Sequence, residues 1–175
     1  MKKAFSLIEL LIVVMIVGVV YTLAISSFES LKKDDTKPTL LNLKEYLMKI
    51  EHKREVKLLC LDSCESCLVF VDNEVNKEVS EKFDDFIDKD IKSYTYNVNT
   101  GLQEVAKSVF FNSENVSEDV CFSMRLDKKG VSSQVVVEYK KNLYDFTTYL
   151  IPTKKYASTQ DFIDAKQKEI NEVLQ

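Results

Sequence analysis

Glycine and proline are scarce in this chain of 175 residues, three and two respectively, and histidine occurs once, at His52. So few flexible residues and no low-complexity tract argue against disorder and against a flexible multidomain stalk. One histidine, no nucleophile elbow and no glycine-rich phosphate loop leave out the usual hydrolase and nucleotide-binding signatures, so no enzymatic activity and no cofactor are expected. Basic charge is lacking too, since 24 Lys and Arg stand against 28 Asp and Glu for a net charge of −4. Phosphate affinity comes from clustered Lys and Arg, so nucleic acid is not an expected partner. No internal repeat is present.

What the chain does have is concentrated at its start, MKKAFSLIELLIVVMIVGVVYTLAISSF, from Met1 to Phe28. From Leu10 to Phe28 no residue carries a charge. As a helix that run measures about 28 Å, close to the roughly 30 Å hydrocarbon core of a bilayer. Lys2 and Lys3 precede it, and the positive-inside bias then keeps the N-terminus cytoplasmic and sends the remainder across. Glu9 is the anomaly, because a carboxylate within such a segment costs about 2.5 to 3.5 kcal/mol and needs a partner. A plain signal anchor or a cleaved secretory signal near Ala24-Ile25-Ser26 would rarely contain a glutamate.

Lys2-Lys3-Ala4 followed by Phe5-Ser-Leu-Ile-Glu9-Leu-Leu-Ile-Val-Val-Met-Ile-Val-Gly18 resembles the N-terminal signal of type IV pilins and type II secretion pseudopilins. The resemblance covers about Lys2 to Ile25 and implies cleavage between Ala4 and Phe5 by a prepilin peptidase, N-methylation of Phe5, and a role for Glu9 in assembly. Ala4 stands where glycine is usual, and Ser26 where many major pilins have a kinking proline. The resemblance further implies a pilin-like α+β fold, a long N-terminal helix, transmembrane in its first half, packed on an antiparallel β-sheet. The partners it implies are the peptidase, other pilins or pseudopilins and an inner-membrane assembly platform. Cleavage before Phe5 creates an ammonium four residues from Glu9, and the same group on a neighbouring subunit would neutralise that carboxylate.

The domain plan follows. Residues 1–4 are a leader, 5–28 a transmembrane helix, 29–55 a stem and amphipathic second half of the long helix, and 56–175 a periplasmic antiparallel-sheet domain. Losing Lys2 and Lys3 takes the net charge from −4 to −6. Leu40, Leu43, Leu47 and Ile50 have helical spacing up to about Arg54. Val56 to Leu61 and Cys67 to Asp72 read as a hairpin, and Val75, Val79, Phe83, Phe86 and Ile87 as a surface helix near 76–89. Ile91 to Val98, Val105 to Phe111, Val120 to Leu126, Val131 to Tyr139 and Tyr144 to Ile151 are strand candidates, the last three forming a meander turned at Asp127-Lys-Lys-Gly130. Pro152 ends it. Ser158 with Asp161 resembles a capping box opening a helix near 159–174.

Cys60, Cys64, Cys67 and Cys121 follow the apolar segment, where an oxidising compartment would pair them as two disulfides of undetermined connectivity. Their spacing also matches the iron-sulfur motif of radical enzymes that use S-adenosylmethionine, a four-thiolate zinc site, or a redox pair at Cys64 and Cys67. No metal site is assigned among these alternatives. His52 and the acidic run of Asp84, Asp85, Asp88 and Asp90 read as solvated residues, and Tyr94 and Tyr96 as sheet packing. The expected function is that of a pseudopilin or minor pilin in a helical filament of a type II secretion, type IV pilus or DNA-uptake system. It would sit in a bacterial inner membrane with a single pass. The alternative is an anchored periplasmic binding or sensor domain with an uncleaved signal anchor.

Overall fold

The computed structural model describes residues 8, 10–19, 37–149 and 152–173. The chain divides into two compact units, Met1–Lys37 and Pro38–Gln175. In the first, residues 10–19 form helix α1. The second begins with α2 (Leu43–Met48), followed by β1 (Glu55–Leu61), β2 (Ser66–Val71), β3 (Glu74–Val75) and the short helix α3 (Lys77–Ser80). Next come β4 (Lys92–Asn97), β5 (Gly101–Glu104), β6 (Ser108–Phe111) and the long β7 (Ser117–Asp127). The chain closes with β8 (Val136–Tyr139), β9 (Asn142–Asp145), β10 (Lys154–Tyr156) and α4 (Thr159–Val173).

These strands build two five-stranded sheets, ordered β3-β2-β1-β7-β6 and β10-β9-β8-β4-β5, antiparallel throughout. Strand β1 is central to the first because both of its faces are apolar. Val56, Leu58 and Cys60 join Val69, Phe122, Met124 and Leu126 on one face, and α2 covers them with Leu43 and Leu47. Leu59 and Leu61 turn to the other face with Val120, Leu68, Phe70 and Phe110. The register shifts between Cys60 and Leu61, which lie opposite Phe122 and Val120. This bulge puts Phe122 and Val120 on opposite faces of the same strand. Strand β8 divides its residues likewise, with Val137 and Tyr139 in the shared core and Val136 under α4.

Helix α4 docks on the second sheet through Phe162, fully buried, whose ring meets Tyr96 and Tyr156 edge to face at 5.2 and 5.5 Å. Its start is capped, the Ser158 hydroxyl accepting from the Asp161 amide at 3.1 Å. Beside Phe162, the Lys166 ammonium lies 2.7 Å from Asp145 Oδ2 and 3.4 Å from Glu169. The other oxygen of Asp145 accepts from the amide and hydroxyl of Thr147 at 2.9 and 2.6 Å. Burial opposes the charge on Lys166, but the carboxylates of Asp145 and Glu169 outweigh it and raise its pKa above the ordinary lysine value. Lys44 of α2 shows the opposite balance. Its pKa is lowered by burial, against a weaker pull from Asp145, and its ammonium donates to the Thr148 carbonyl at 2.5 Å.

This architecture corrects the expected fold of one long N-terminal helix on a single sheet. No helix among the described residues is long and apolar enough to cross a membrane. The expected placement as a single-pass inner-membrane protein with a periplasmic domain is corrected with it. The amphipathic segment expected to run to Arg54 shrinks to α2. Beyond it the amides of Lys53, Arg54 and Glu55 donate to the Asp72 carboxylate at 2.8, 2.6 and 3.2 Å, which holds them extended rather than helical. Those amide bonds, led by Lys53 and Arg54, lower the Asp72 pKa.

The helix expected near 76–89 stops at Ser80, whose hydroxyl donates to Asn76 O and accepts from the Val69 amide. A 3-10 turn, Glu81–Phe83, follows, and Asp85 at φ 57° takes the chain out of helix. Phe83 and Ile87 are buried by this irregular path instead of by a helical face. The expected meander is also divided. Asp127 Oδ1 accepts from the amides of Lys129 and Val131, with Gly130 at φ 82°, so the turn forms as expected. Yet β7 and β8 then belong to different sheets, and only an isolated bridge, Leu126 to Ser132, connects the segments next to the turn.

Replacing Lys166 by Met leaves Asp145 buried without its cation, an arrangement that costs about 3 to 5 kcal/mol. Because the folded-state pKa of Lys166 is raised, its contribution is full below the ordinary lysine range and fades as pH rises through the folded value. Urea denaturation should therefore show Lys166→Met strongly destabilised at neutral pH, with the gap from the parent protein narrowing in strong alkali. A constant gap would refute the pairing as its cause.

Candidate assembly surface

Ala4, Phe5 and Glu9, the residues the motif singles out for processing and assembly, lie outside the described residues. The helix that follows them is described. In α1 every large apolar residue of Leu10 to Val17, and Val19, is between 50 and 69 % exposed. A helix that is apolar on all sides has no face suited to water and requires apolar company.

The four cysteines are brought together and consumed as two disulfides, Cys60–Cys67 and Cys64–Cys121. Cys60 and Cys67 are register partners on β1 and β2, with Cα atoms 4.0 Å apart. Cys64 occupies the turn between those strands at φ 68°, a region costly for a residue with a Cβ. It is tied there to Cys121 at the β7 bulge, 57 positions along the chain. The turn is also sewn to β7 by the Asp62 amide donating to Asp119 O at 2.7 Å and by the Asp119 amide donating to Asp62 Oδ1. Oxidised sulfurs do not ligate zinc or an iron-sulfur cluster as thiolates, and Cys60, Cys64 and Cys67 are all buried away from a redox partner. These bridges make the hairpin and β7 one rigid block, and β7 carries β6 on its outer side.

Each of the other sequence candidates has a local role. His52 is half-buried, not solvated, with Nδ1 2.6 Å from the Ile50 carbonyl. Asp88 accepts from the Tyr139 hydroxyl at 2.8 Å and from the Asp90 amide, bonds that lower its pKa in that order. Tyr94 donates to Glu138 at 2.9 Å, and desolvation followed by that carboxylate pushes its pKa up to about 12. Tyr94 and Tyr96 pack beneath α4. An open hollow beside Asp72 is lined by Lys53, Arg54 and Lys77, and the Arg54 guanidinium there donates to the Asp72 carbonyl at 2.8 Å. A groove of about 260 Å³ runs between β4 and β7, bordered by Lys92, Thr95, Glu104, Ser123 and Gln134.

The most distinctive surface is the edge at β6. Val109 and Phe111 are 54 and 61 % exposed, and Val116 in the following turn 52 %. This edge falls within the strand candidate Val105 to Phe111, of which Ser108–Phe111 forms the strand. Compared with protein-family models, curated proteins and solved structures, the chain matches none.

The two bridges close loops of 7 and 57 positions, which the chain-entropy relation converts to about 2 and about 4 kcal/mol. Replacing Cys64 and Cys121 together by Ser should lower the unfolding free energy by roughly twice as much as replacing Cys60 and Cys67 together. Chemical denaturation of both double variants under non-reducing conditions checks the order.

Proposed function

We propose that this chain is a pilin-like structural subunit, a pseudopilin or minor pilin, cut between Ala4 and Phe5 by a prepilin peptidase, methylated on Phe5 and polymerised with other pilins into a helical filament. Type II secretion, a type IV pilus and DNA uptake all use such filaments, and an assembly platform would drive the polymerisation. The observation that carries this reading is the all-round apolar, exposed surface of α1 directly after the Lys-Lys-Ala-Phe-Ser-Leu-Ile-Glu motif. A bundle of like helices at a filament axis would cover that surface. Within the bundle the ammonium of Phe5 on one subunit would meet Glu9 of another, because an unpaired carboxylate among apolar helices is heavily penalised. Two disulfides add support, since they form and persist in the oxidising environments where secreted assemblies reside. The acidic balance of the chain favours a protein assembly over a nucleic-acid complex.

The test is the mass of the N-terminal peptide from cells with and without active prepilin peptidase. A terminus at N-methylated Phe5 that depends on the peptidase is expected, and an intact Met1 in both strains would overturn the reading. Replacing Ala4 by Trp should leave the uncut precursor. Glu9→Ala should be cut normally yet fail to co-purify with partner pilins; unchanged co-purification would remove Glu9 from its assembly role.

A further inference from the structure

We infer that the free edge of β6 is a docking strand for the β6 of a second copy of this chain, paired antiparallel about a two-fold axis at Phe110. This contact goes beyond the filament reading and does not depend on it. Four strands end the two sheets, namely β3, β6, β5 and β10. A free edge presents unpaired amides and carbonyls, and folded proteins guard such edges with short strands, charge or proline. Strand β3 has two residues, and β10 carries Lys154 and Lys155 just after Pro152. Strand β5 ends in Glu104 and turns Leu102 into the cluster beneath α4. Strand β6, four residues long, has neither a charge nor a proline. It reads Ser108-Val-Phe-Phe111, β-branched and aromatic residues without charge or proline.

Its two faces are both apolar. Phe110 lies on the face shared with Phe70, the two rings 6.0 Å apart, among Leu59, Leu61 and Val120. Alternation sends Val109 and Phe111 to the other face, where both are more than half exposed. An axis perpendicular to the sheet keeps like faces together. Phe110 would then lie opposite Phe110 of the second copy, and Val109 opposite its Phe111. The second of these is the aromatic with β-branched combination that stabilises cross-strand neighbours. The two Phe70–Phe110 clusters would become one apolar strip across the joint.

Charge selects this orientation. Lys107 precedes the strand, and Glu114, Glu118 and Asp119 follow it. Antiparallel pairing centred on Phe110 brings Lys107, just before the strand, to the end where the turn after β6 of the second copy carries Glu114, and the axis repeats this at the far end. Parallel pairing would set Lys107 against Lys107 and acid against acid, which is unfavourable for directly facing residues. A four-residue strand buries less than the roughly 1,000 Å² of a stable interface. The contact is accordingly weak and operates where copies are crowded, as linked binding sites do.

The experiment uses the full chain in detergent micelles, isotopically light and heavy copies mixed, with p-benzoylphenylalanine in place of Phe111. Light-to-heavy crosslinks should map to residues 108–111 and rise with protein concentration. Val109→Lys adds the missing guard at an exposed position and should reduce their yield about tenfold, a strand edge being disfavoured by lysine. Amide exchange of residues 108–111 in the chain with natural Phe111 should slow as concentration rises, and only without Val109→Lys. Crosslinks spread over other segments, or β6 protection indifferent to Val109→Lys, would overturn the proposal.

Discussion

The Cys64–Cys121 bridge is the constraint on which the first sheet depends. It ties a turn whose central residue has a positive φ to the strand at the point where that strand bulges. Without the bulge, the β7 residues before it would keep one alternation along the strand. Val120 would then face the same side as Phe122, and the cluster around Leu59 and Leu61 would lose its contribution from β7. The bridge and the bulge therefore belong together. Cys60–Cys67 reinforces the hairpin between two residues that already face each other, closing only a short loop.

The second sheet depends on a different kind of tie. Asp145 at the end of β9 is fully buried and collects Lys166 from α4 together with the hydroxyl and amide of Thr147, while Lys44 from α2 lies within its electrostatic reach. A buried carboxylate tolerates only a satisfied environment, so the group discriminates against any other position of α4. Apolar contact through Phe162 supplies the attraction, and the ion pair supplies the address. The two lysines near one aspartate differ in sign of perturbation because burial outweighs the pull of Asp145 at Lys44, whereas the carboxylates of Asp145 and Glu169 outweigh burial at Lys166.

Among the described residues, large apolar side chains are exposed along α1 and at the β6 edge. They are described in separate units of the chain and have separate chemistry. The α1 surface is aliphatic and lacks direction, as suits packing among similar helices. The β6 edge is directional, because backbone hydrogen bonding imposes register and the charges flanking it impose polarity.

Much of the second unit was legible locally. The β1–β2 hairpin, the turn at Asp127 to Gly130 and the capped helix after Ser158 follow from alternation, turn chemistry and capping, which act over a few residues. Which sheet each strand joined was not legible, since Val131 to Tyr139 alternates equally well as a partner for β7 or, as observed, for β4 and β9. Helical spacing at Val75 to Ile87 misled because irregular backbone at Asp85 buries the same side chains. Leu10 to Phe28 reads as long enough to cross a bilayer, whereas no helix among the described residues is long and apolar enough to do so. By itself the sequence determined the apolar run from Leu10, the acidic balance and the pool of four cysteines. Only the tertiary structure decided the disulfide pairing, the division into two sheets and the exposure of β6. Each of these depends on contacts between residues far apart in the chain, and no local pattern encodes them.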